Sequence, residues 1–266
     1  MAQRPSIDGK RKRGGQMALA LNFGKCTLLG NYRENNEDSI DIKLFPDLAI
    51  AIVADGMGGQ AAGEIASKQA IEIIPRELRK NLAVNADADT SKGVIRKAVI
   101  QANAVIMEMA SLDRDLANMG TTVVTAVWRK GMDEIFITNL GDSRAYLIRG
   151  GNIEQLTTDH SIAQALVEAK TISAAEARNH RYRNVLWKYL GSKEVGEGPE
   201  VKIVPLKAGD FLLLATDGLT GVVPDEKIAS FILENPDVQK CADGLGQLAL
   251  EMGSRDNVSC ILIHVT

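Results

Sequence analysis

Acidic residues at the ends of apolar runs constrain this chain more than any other feature. Asp55 follows Ile50-Ala-Ile-Val-Ala and precedes Gly56, and Asp217 follows Phe211-Leu-Leu-Leu-Ala-Thr and precedes Gly218. Asp142 closes Ile135-Phe-Ile-Thr-Asn-Leu-Gly, while Asp256 and the pair Glu37-Asp38 stand just before apolar stretches. Runs of this length and make-up read as buried strands. An ionised carboxylate at a strand end is costly to desolvate. If several meet, two of them about 4 Å apart repel by roughly 4 kcal/mol at an effective dielectric near 20. No lysine cluster lies beside them in the sequence, so a divalent cation is the economical counter-charge. The candidate set is all oxygen, without His or Cys, which favours Mg²⁺ or Mn²⁺ over zinc or copper. A single Asp-Gly is above all a turn dipeptide; repetition at apolar strand ends carries the argument. The glycines after Asp55 and Asp217 are expected to supply unusual dihedrals and to let a carbonyl approach an ion.

Composition removes several alternatives. The 266 residues carry 31 Lys plus Arg against 34 Asp plus Glu, a net charge of −3, so no chain-wide basic bias points to nucleic acid. Aromatic residues at 4% are too few for base-stacking platforms. Hydrophobic residues at 45% are enough for a core, which excludes disorder as a description of the whole. Cys26, Cys241 and Cys260 form no C-x-x-C pair and read as buried free thiols. No apolar run approaches the roughly 20 residues of a membrane helix, and Met1 to Gln16 lacks a signal-peptide core, so a cytoplasmic location is expected.

Residues 1–16, with Lys10-Arg11-Lys12-Arg13, read as a disordered basic tail, and residues 17–266 as one domain. Strands are expected at Met17 to Phe23, Ser39 to Leu44 and Ala49 to Val53, then at Thr121 to Arg129, Glu134 to Asn139 and Arg144 to Arg149. Gly150-Gly151-Asn152 turns the last of these into Ile153 to Leu156, and further strands fall at Val201 to Pro205, Phe211 to Ala215 and Val258 to Val265. Helices are expected over Gly63 to Asn81 and along Val94, Ala98, Ala102, Val105, Met109 and Leu112, joined by a linker from Asn85 to Ser91. That linker lacks the glycine and glutamate of a calcium loop. Short helices are expected near Asp225 to Leu233 and Val238 to Met252. Successive strands interrupted by two consecutive helices fit antiparallel sheets with helices outside, an α+β class.

The motifs then form a recognisable series. Arg33-Glu-Asn-Asn-Glu-Asp-Ser39, Val53-Ala-Asp-Gly-Met-Gly-Gly59 with Gly63-Glu64, and Met119-Gly-Thr-Thr122 come first. Gly141-Asp-Ser-Arg-Ala-Tyr146, Leu156-Thr-Thr-Asp-His-Ser161, Ala215-Thr-Asp-Gly-Leu-Thr220 and Gly253-Ser-Arg-Asp-Asn-Val-Ser259 follow. In this order, from Met17 to Val265, the chain resembles the bacterial metal-dependent protein phosphatases of the type 2C (PPM) family. The resemblance implies a four-layer αββα sandwich, with two mainly antiparallel sheets flanked by helices. It implies two Mg²⁺ or Mn²⁺ ions and a third more weakly held. Asp55 would bridge the pair with the Gly56 carbonyl, and Asp217 and Asp256 would hold one ion. Asp38, with Glu37 as a further candidate, would act directly or through water, and Asp142 would serve the third ion. Arg33 would bind phosphate, Asn257 would orient the Asp256 site, and a hydroxide bridging two ions would attack phosphorus.

The expected activity is therefore hydrolysis of phosphoserine and phosphothreonine in proteins, opposing a Ser/Thr kinase, by a monomer. The alternative is a non-catalytic phosphoprotein-binding domain on the same fold. Gln60 stands where similar proteins usually carry His, and Met57 where some carry a proton donor. The segment 160–191 matches the family's variable flap, with Arg181 and Arg183 as candidate substrate contacts. Glu64 is expected to pair within its helix, Met119 to Thr122 to pack, Ser143 and Arg144 to shape the Asp142 loop, and His160 to bond locally.

Overall fold

The computed structural model describes residues 19–58 and 62–266; the basic tail and Gln60 lie outside them. Three strands open the chain, β1 (Leu21–Leu28), β2 (Asp38–Leu44) and β3 (Leu48–Met57), followed by the long helices α1 (Ala62–Asn81) and α2 (Ala88–Leu112). Next come the short β4 (Gly120–Thr121), then β5 (Val123–Arg129), β6 (Glu134–Leu140), β7 (Arg144–Arg149) and β8 (Asn152–Gln155). Two short helices, α3 (Ile162–Glu168) and α4 (Ala174–Arg178), lie in the flap. The chain ends with β9 (Val201–Pro205), β10 (Phe211–Ala215), α5 (Asp217–Thr220), α6 (Asp225–Glu234), α7 (Val238–Glu251) and β11 (Val258–Val265).

All strand pairings are antiparallel. One sheet runs β1-β11-β10-β7-β8 and the other β2-β3-β5-β6-β9, with β4 added to the end of β3. The two-residue period of a strand explains the layering. In β3, Leu48, Ile50, Ile52 and Ala54 pack against α1 and α2, whereas Ala49, Ala51 and Val53 face the other sheet. In β10, Phe211, Leu213 and Ala215 meet the α5–α7 side, and Leu212 and Leu214 point between the sheets. Strands buried on both faces must be apolar throughout, which is why β3, β5 and β10 show no polar alternation. The expected αββα sandwich of the α+β class is what the chain forms.

Several local expectations need correction. The first strand is Leu21–Leu28, not one ending at Phe23. Its second half, Gly-Lys-Cys-Thr-Leu, lacks apolar alternation, yet Cys26 pairs with Cys260 and fills the core under α7. Helix α2 begins inside the expected linker, because Asp87 caps it by accepting the Thr90 N–H at 2.7 Å. Its buried stripe is Ile95, Ala98, Val99, Ala102 and Ile106, while Leu112 is 79% exposed. Helix α5 was not expected: one turn starts directly at Asp217, where β10 ends. All three cysteines are buried and free. Among the described residues, no helix is long and apolar enough to cross a membrane.

Candidate metal and phosphate site

The sheets bring their strand ends together at one mouth of the sandwich. Asp38, the first residue of β2, lies directly opposite Asp55 of β3 in the antiparallel register. Asp38 is buried, and its Oδ2 accepts a hydrogen bond from Thr216 Oγ1 at 3.1 Å. Thr216 stands at the end of β10 in the other sheet, immediately before Asp217, and its Oγ1 also accepts the Ser259 N–H at 3.1 Å. One hydroxyl thus links β2, β10 and β11 at the site.

The backbone of Asp55 is held from the opposite side. Its N–H donates to Thr122 Oγ1 at 3.0 Å, and its carbonyl accepts from the Thr122 N–H at 2.8 Å and from Thr121 Oγ1 at 2.9 Å. Thr122 Oγ1 then contacts Ser143 Oγ at 2.6 Å, tying the loop of Asp142 to the same strand. Met119 packs as expected, but Thr121 and Thr122 are more than packing residues: they fix Asp55. Gly56 and Gly218 do not adopt left-handed dihedrals. They are glycines because of close backbone approach: a Cβ on Gly56 would lie 2.1 Å from the Gly63 carbonyl oxygen, and one on Gly218 1.8 Å from that of Asn257.

Burial and mutual repulsion act on these carboxylates together. Burial is the largest influence on each, and it pushes Asp38 up to about 7, with Asp217 and Asp256 adding repulsion. Asp142 is raised to about 8 by burial and by Asp217 and Asp159. Asp55 is held well above the carboxylate range by burial and by Asp38, Asp217, Asp142 and Asp256. Asp217 is raised by burial and Asp256, and a hydrogen bond with Asp55 partly offsets this. Strand ends more than 200 residues apart in places therefore share one field, as the run of strand-end acids predicts.

Asp256 differs from the others. Arg33 Nη2 donates to its Oδ2 at 2.6 Å, and this bond raises the Arg33 pKa. Asn257 acts on the Arg33 loop as much as on Asp256. Its Nδ2 donates to the Leu29 and Asn35 carbonyls at 2.8 and 3.1 Å, its Oδ1 accepts the Glu37 N–H at 2.9 Å, and its own N–H donates to Asp256 Oδ1 at 2.8 Å. Glu37 is half-buried and its Oε1 lies against Gly63 in the first turn of α1, where the helix dipole suits a carboxylate. That places Glu37 at the edge of the cluster. Glu64 pairs with Lys68 at 2.5 Å, as expected.

Among the described residues, no three His, Cys, Asp or Glu side chains close around one point at ligating distance. The donor chemistry nevertheless suits a hard cation: oxygen donors only, mutually repelling, with Arg33 as the sole cationic side chain among the described residues bonded to any of the five aspartates. Asp256 shares its Oδ2 with Arg33, and its Oδ1 accepts the Asn257 N–H.

Asp159, in the Leu156-to-Ser161 motif, also belongs to this neighbourhood and repels Asp142. Arg144 Nε and Nη2 grip Asp159 at 2.9 and 2.6 Å, and Arg144 Nη1 donates to Tyr146 Oη at 3.1 Å. The acid-His-Ser string after a strand was the available signal. His160 bonds locally as expected, with Nδ1 accepting the Gly141 N–H at 3.2 Å and its ring edge-on to Trp187. In the flap, Arg183 lines a cavity that reaches Asp142 and Asp217. Arg181 instead lies over the Tyr182 ring, 4.4 Å from its centre.

A family model described as Protein phosphatase 2C matches residues 33–258. The serine/threonine phosphatase Stp of Listeria welshimeri is 34% identical over 236 residues, 88% of this chain and 92% of that one. The solved structure of the serine/threonine phosphatase Stp1 from Staphylococcus aureus superposes with a TM-score of 0.83 at 32% identity, covering 97% and 99% of the two chains. The catalytic domain of the phosphatase PstP, solved with two manganese ions, superposes with a TM-score of 0.78 at 32% identity, covering 93% and 99%. Sandwich, strand-end acids and ordered motifs agree with that match, and the chain belongs to the protein phosphatase 2C family.

Proposed function

We infer that the protein is a metal-dependent hydrolase of phosphoserine and phosphothreonine in proteins. The observation that carries this reading is the meeting of strand-end aspartates from both sheets beside one exposed arginine. A pure binding module has no reason to gather so much repelling charge, so nothing favours the non-catalytic alternative.

Asp38, Asp55, Asp217 and Asp256, with the Gly56 carbonyl, would hold two Mg²⁺ or Mn²⁺ ions, and Asp142 a third. When bound, the cations would acidify a water for attack and offset charge on the phosphoryl oxygens. Arg33 supplies a planar fork of donors for two phosphoryl oxygens, once Asp256 releases it. Thr216 keeps Asp38 turned inward, and Thr121 and Thr122 keep Asp55 at the mouth. Neither Met57 nor His160, which is engaged with Gly141, supplies a proton to the leaving oxygen. General-acid help is worth about 10²- to 10⁴-fold where present, so turnover at neutral pH is expected to be modest. The thiols are not nucleophiles: burial pushes Cys26 and Cys241 up to about 11 and Cys260 well above its ordinary value. The setting we propose is cytoplasmic signalling, as a monomer opposing a Ser/Thr kinase.

The test uses p-nitrophenyl phosphate and a phosphothreonine peptide, with Mn²⁺ and then with chelator. Turnover of both that stops on chelation is expected. Turnover insensitive to chelator removes the metal mechanism, and no turnover of either removes the phosphatase reading.

A further inference from the structure

A cavity of about 430 Å³ lies between the flap and the turn joining α5 to α6. Asp142 and Asp217 form its inner end, so it opens directly from the site described above. Its outer wall carries Arg178, at the end of α4, and Arg183.

The charges on its walls are unequally satisfied. Arg144 and Asp159 neutralise each other through a bidentate pair. Asp225 sits in the first turn of α6, where a helix N-terminus favours a carboxylate. Arg178 and Arg183 form no ion pair with any of the described residues. Helix α4 spans five residues, too short for its dipole to account for Arg178. Both residues are exposed, in a chain whose overall charge is −3. The side-chain amides of Gln164, Asn179 and Asn184 line the same space and offer neutral donors beside them.

We propose that this cavity is a subsite for a carboxylate side chain flanking the phosphorylated residue, so that the enzyme selects acidic phosphopeptides. The proposal rests on the phosphatase reading and adds the substrate class. Arg178 and Arg183 line the same cavity as Asp142 and Asp217, so a peptide held by its phosphoryl group at the site would meet them through its flanking residues. Two charge-assisted contacts at a partly exposed rim discriminate by charge without deep burial.

The test compares phosphothreonine peptides identical except for Glu, Gln or Lys at the flanking positions, with p-nitrophenyl phosphate as a substrate that has no flank. For the Mn²⁺-loaded wild type, kcat/KM is expected to favour Glu over Lys by about fivefold or more, with Gln between and the ratio shrinking in high salt. In Arg178→Glu/Arg183→Glu the ratio should invert. Because both residues are exposed, folding is not expected to suffer, and a melting curve checks it. A wild type that hydrolyses p-nitrophenyl phosphate but treats the peptides alike overturns the proposal and leaves the phosphatase reading intact. A preference that survives the double charge reversal also overturns it. No hydrolysis of any substrate removes both.

Discussion

The floor of the site and its flap are built by opposite means. The floor is made of strand ends: Asp38 and Asp55 face each other across a ladder, and Asp217 and Asp256 bracket the β10–β11 pair. Backbone bonds and buried hydroxyls fix every one of these positions. The flap has two short helices and many local turns, and its ties to the core include the Thr121–Leu190 bridge, the bonds between His160 and Gly141, and Asn103. Asn103 Oδ1 accepts the Gly191 N–H at 2.6 Å and its Nδ2 donates to the Ser192 carbonyl at 3.2 Å. Rigid elements hold groups that must meet within tenths of an ångström, and a loosely tied segment carries the groups that distinguish one partner from another.

That contrast can be broken most sharply at the floor. Asp55→Asn and Asp217→Asn are each expected to lower kcat by about 10²- to 10³-fold or more. Each should melt no lower than wild type without metal, since each removes a repelled carboxylate; a loss of fold would show that the acids are structural. Thr216→Val comes next. By releasing Asp38 it should weaken Mn²⁺ affinity, measured by calorimetry, about 10- to 100-fold, with Thr216→Ser restoring it. Unchanged affinity would remove Thr216 as a positioning residue.

Acidity probes the floor as a unit. Asp38, Asp55, Asp142 and Asp217 all titrate above their unfolded values in the metal-free protein, so the folded state binds more protons between about pH 4 and 8. Stability present at low pH is therefore lost as pH rises through about 7 to 8. One such group accounts for about 1.4 kcal/mol per pH unit within its window. The chelated protein should melt lower at pH 8 than at pH 5, and Mn²⁺ should narrow the difference. A metal-free melting temperature that rises with pH would contradict the clustering.

The flap tie is weaker. Asn103→Leu should cost about 1–3 kcal/mol of stability and speed hydrogen exchange around Gly191 more than around Asp55. Uniform acceleration would mean that the flap is part of the same cooperative unit. The smallest effect is expected for Glu64→Gln, which breaks only the surface pair with Lys68 and should change stability by less than about 0.5 kcal/mol. A large loss of Mn²⁺ affinity there would make Glu64 a ligand after all.

Much of the molecule was legible where local pattern and burial agree. Strands β7, β9, β10 and β11 fall at the expected residues, because each is apolar and bounded by turn formers. β1 was misplaced because Gly24 and Lys25 interrupt its pattern, and the packing of Cys26 against α7 outweighs that interruption. The start of α2 was hidden because Asn85 to Ser91 has loop composition, while Asp87 supplies a cap only if the chain turns helical there. The site acids were visible as exceptions to apolar strands; Thr216 and Thr122 were not, since a hydroxyl beside an aspartate says nothing until its partner is known.

By itself, then, the sequence determined where most of the buried strands run and which acids stand at their ends, because an unbroken apolar run marks a strand buried on both faces and a carboxylate at its end is an exception that the cost of burying charge makes visible. Only the tertiary structure decided that Thr216 reaches Asp38 across 178 residues, that Asp256 turns to Arg33, and that Arg183 rather than Arg181 enters the cavity. Such pairings depend on how two sheets stack and on which of several competing partners is nearest, and neither is encoded in the spacing of residues along the chain.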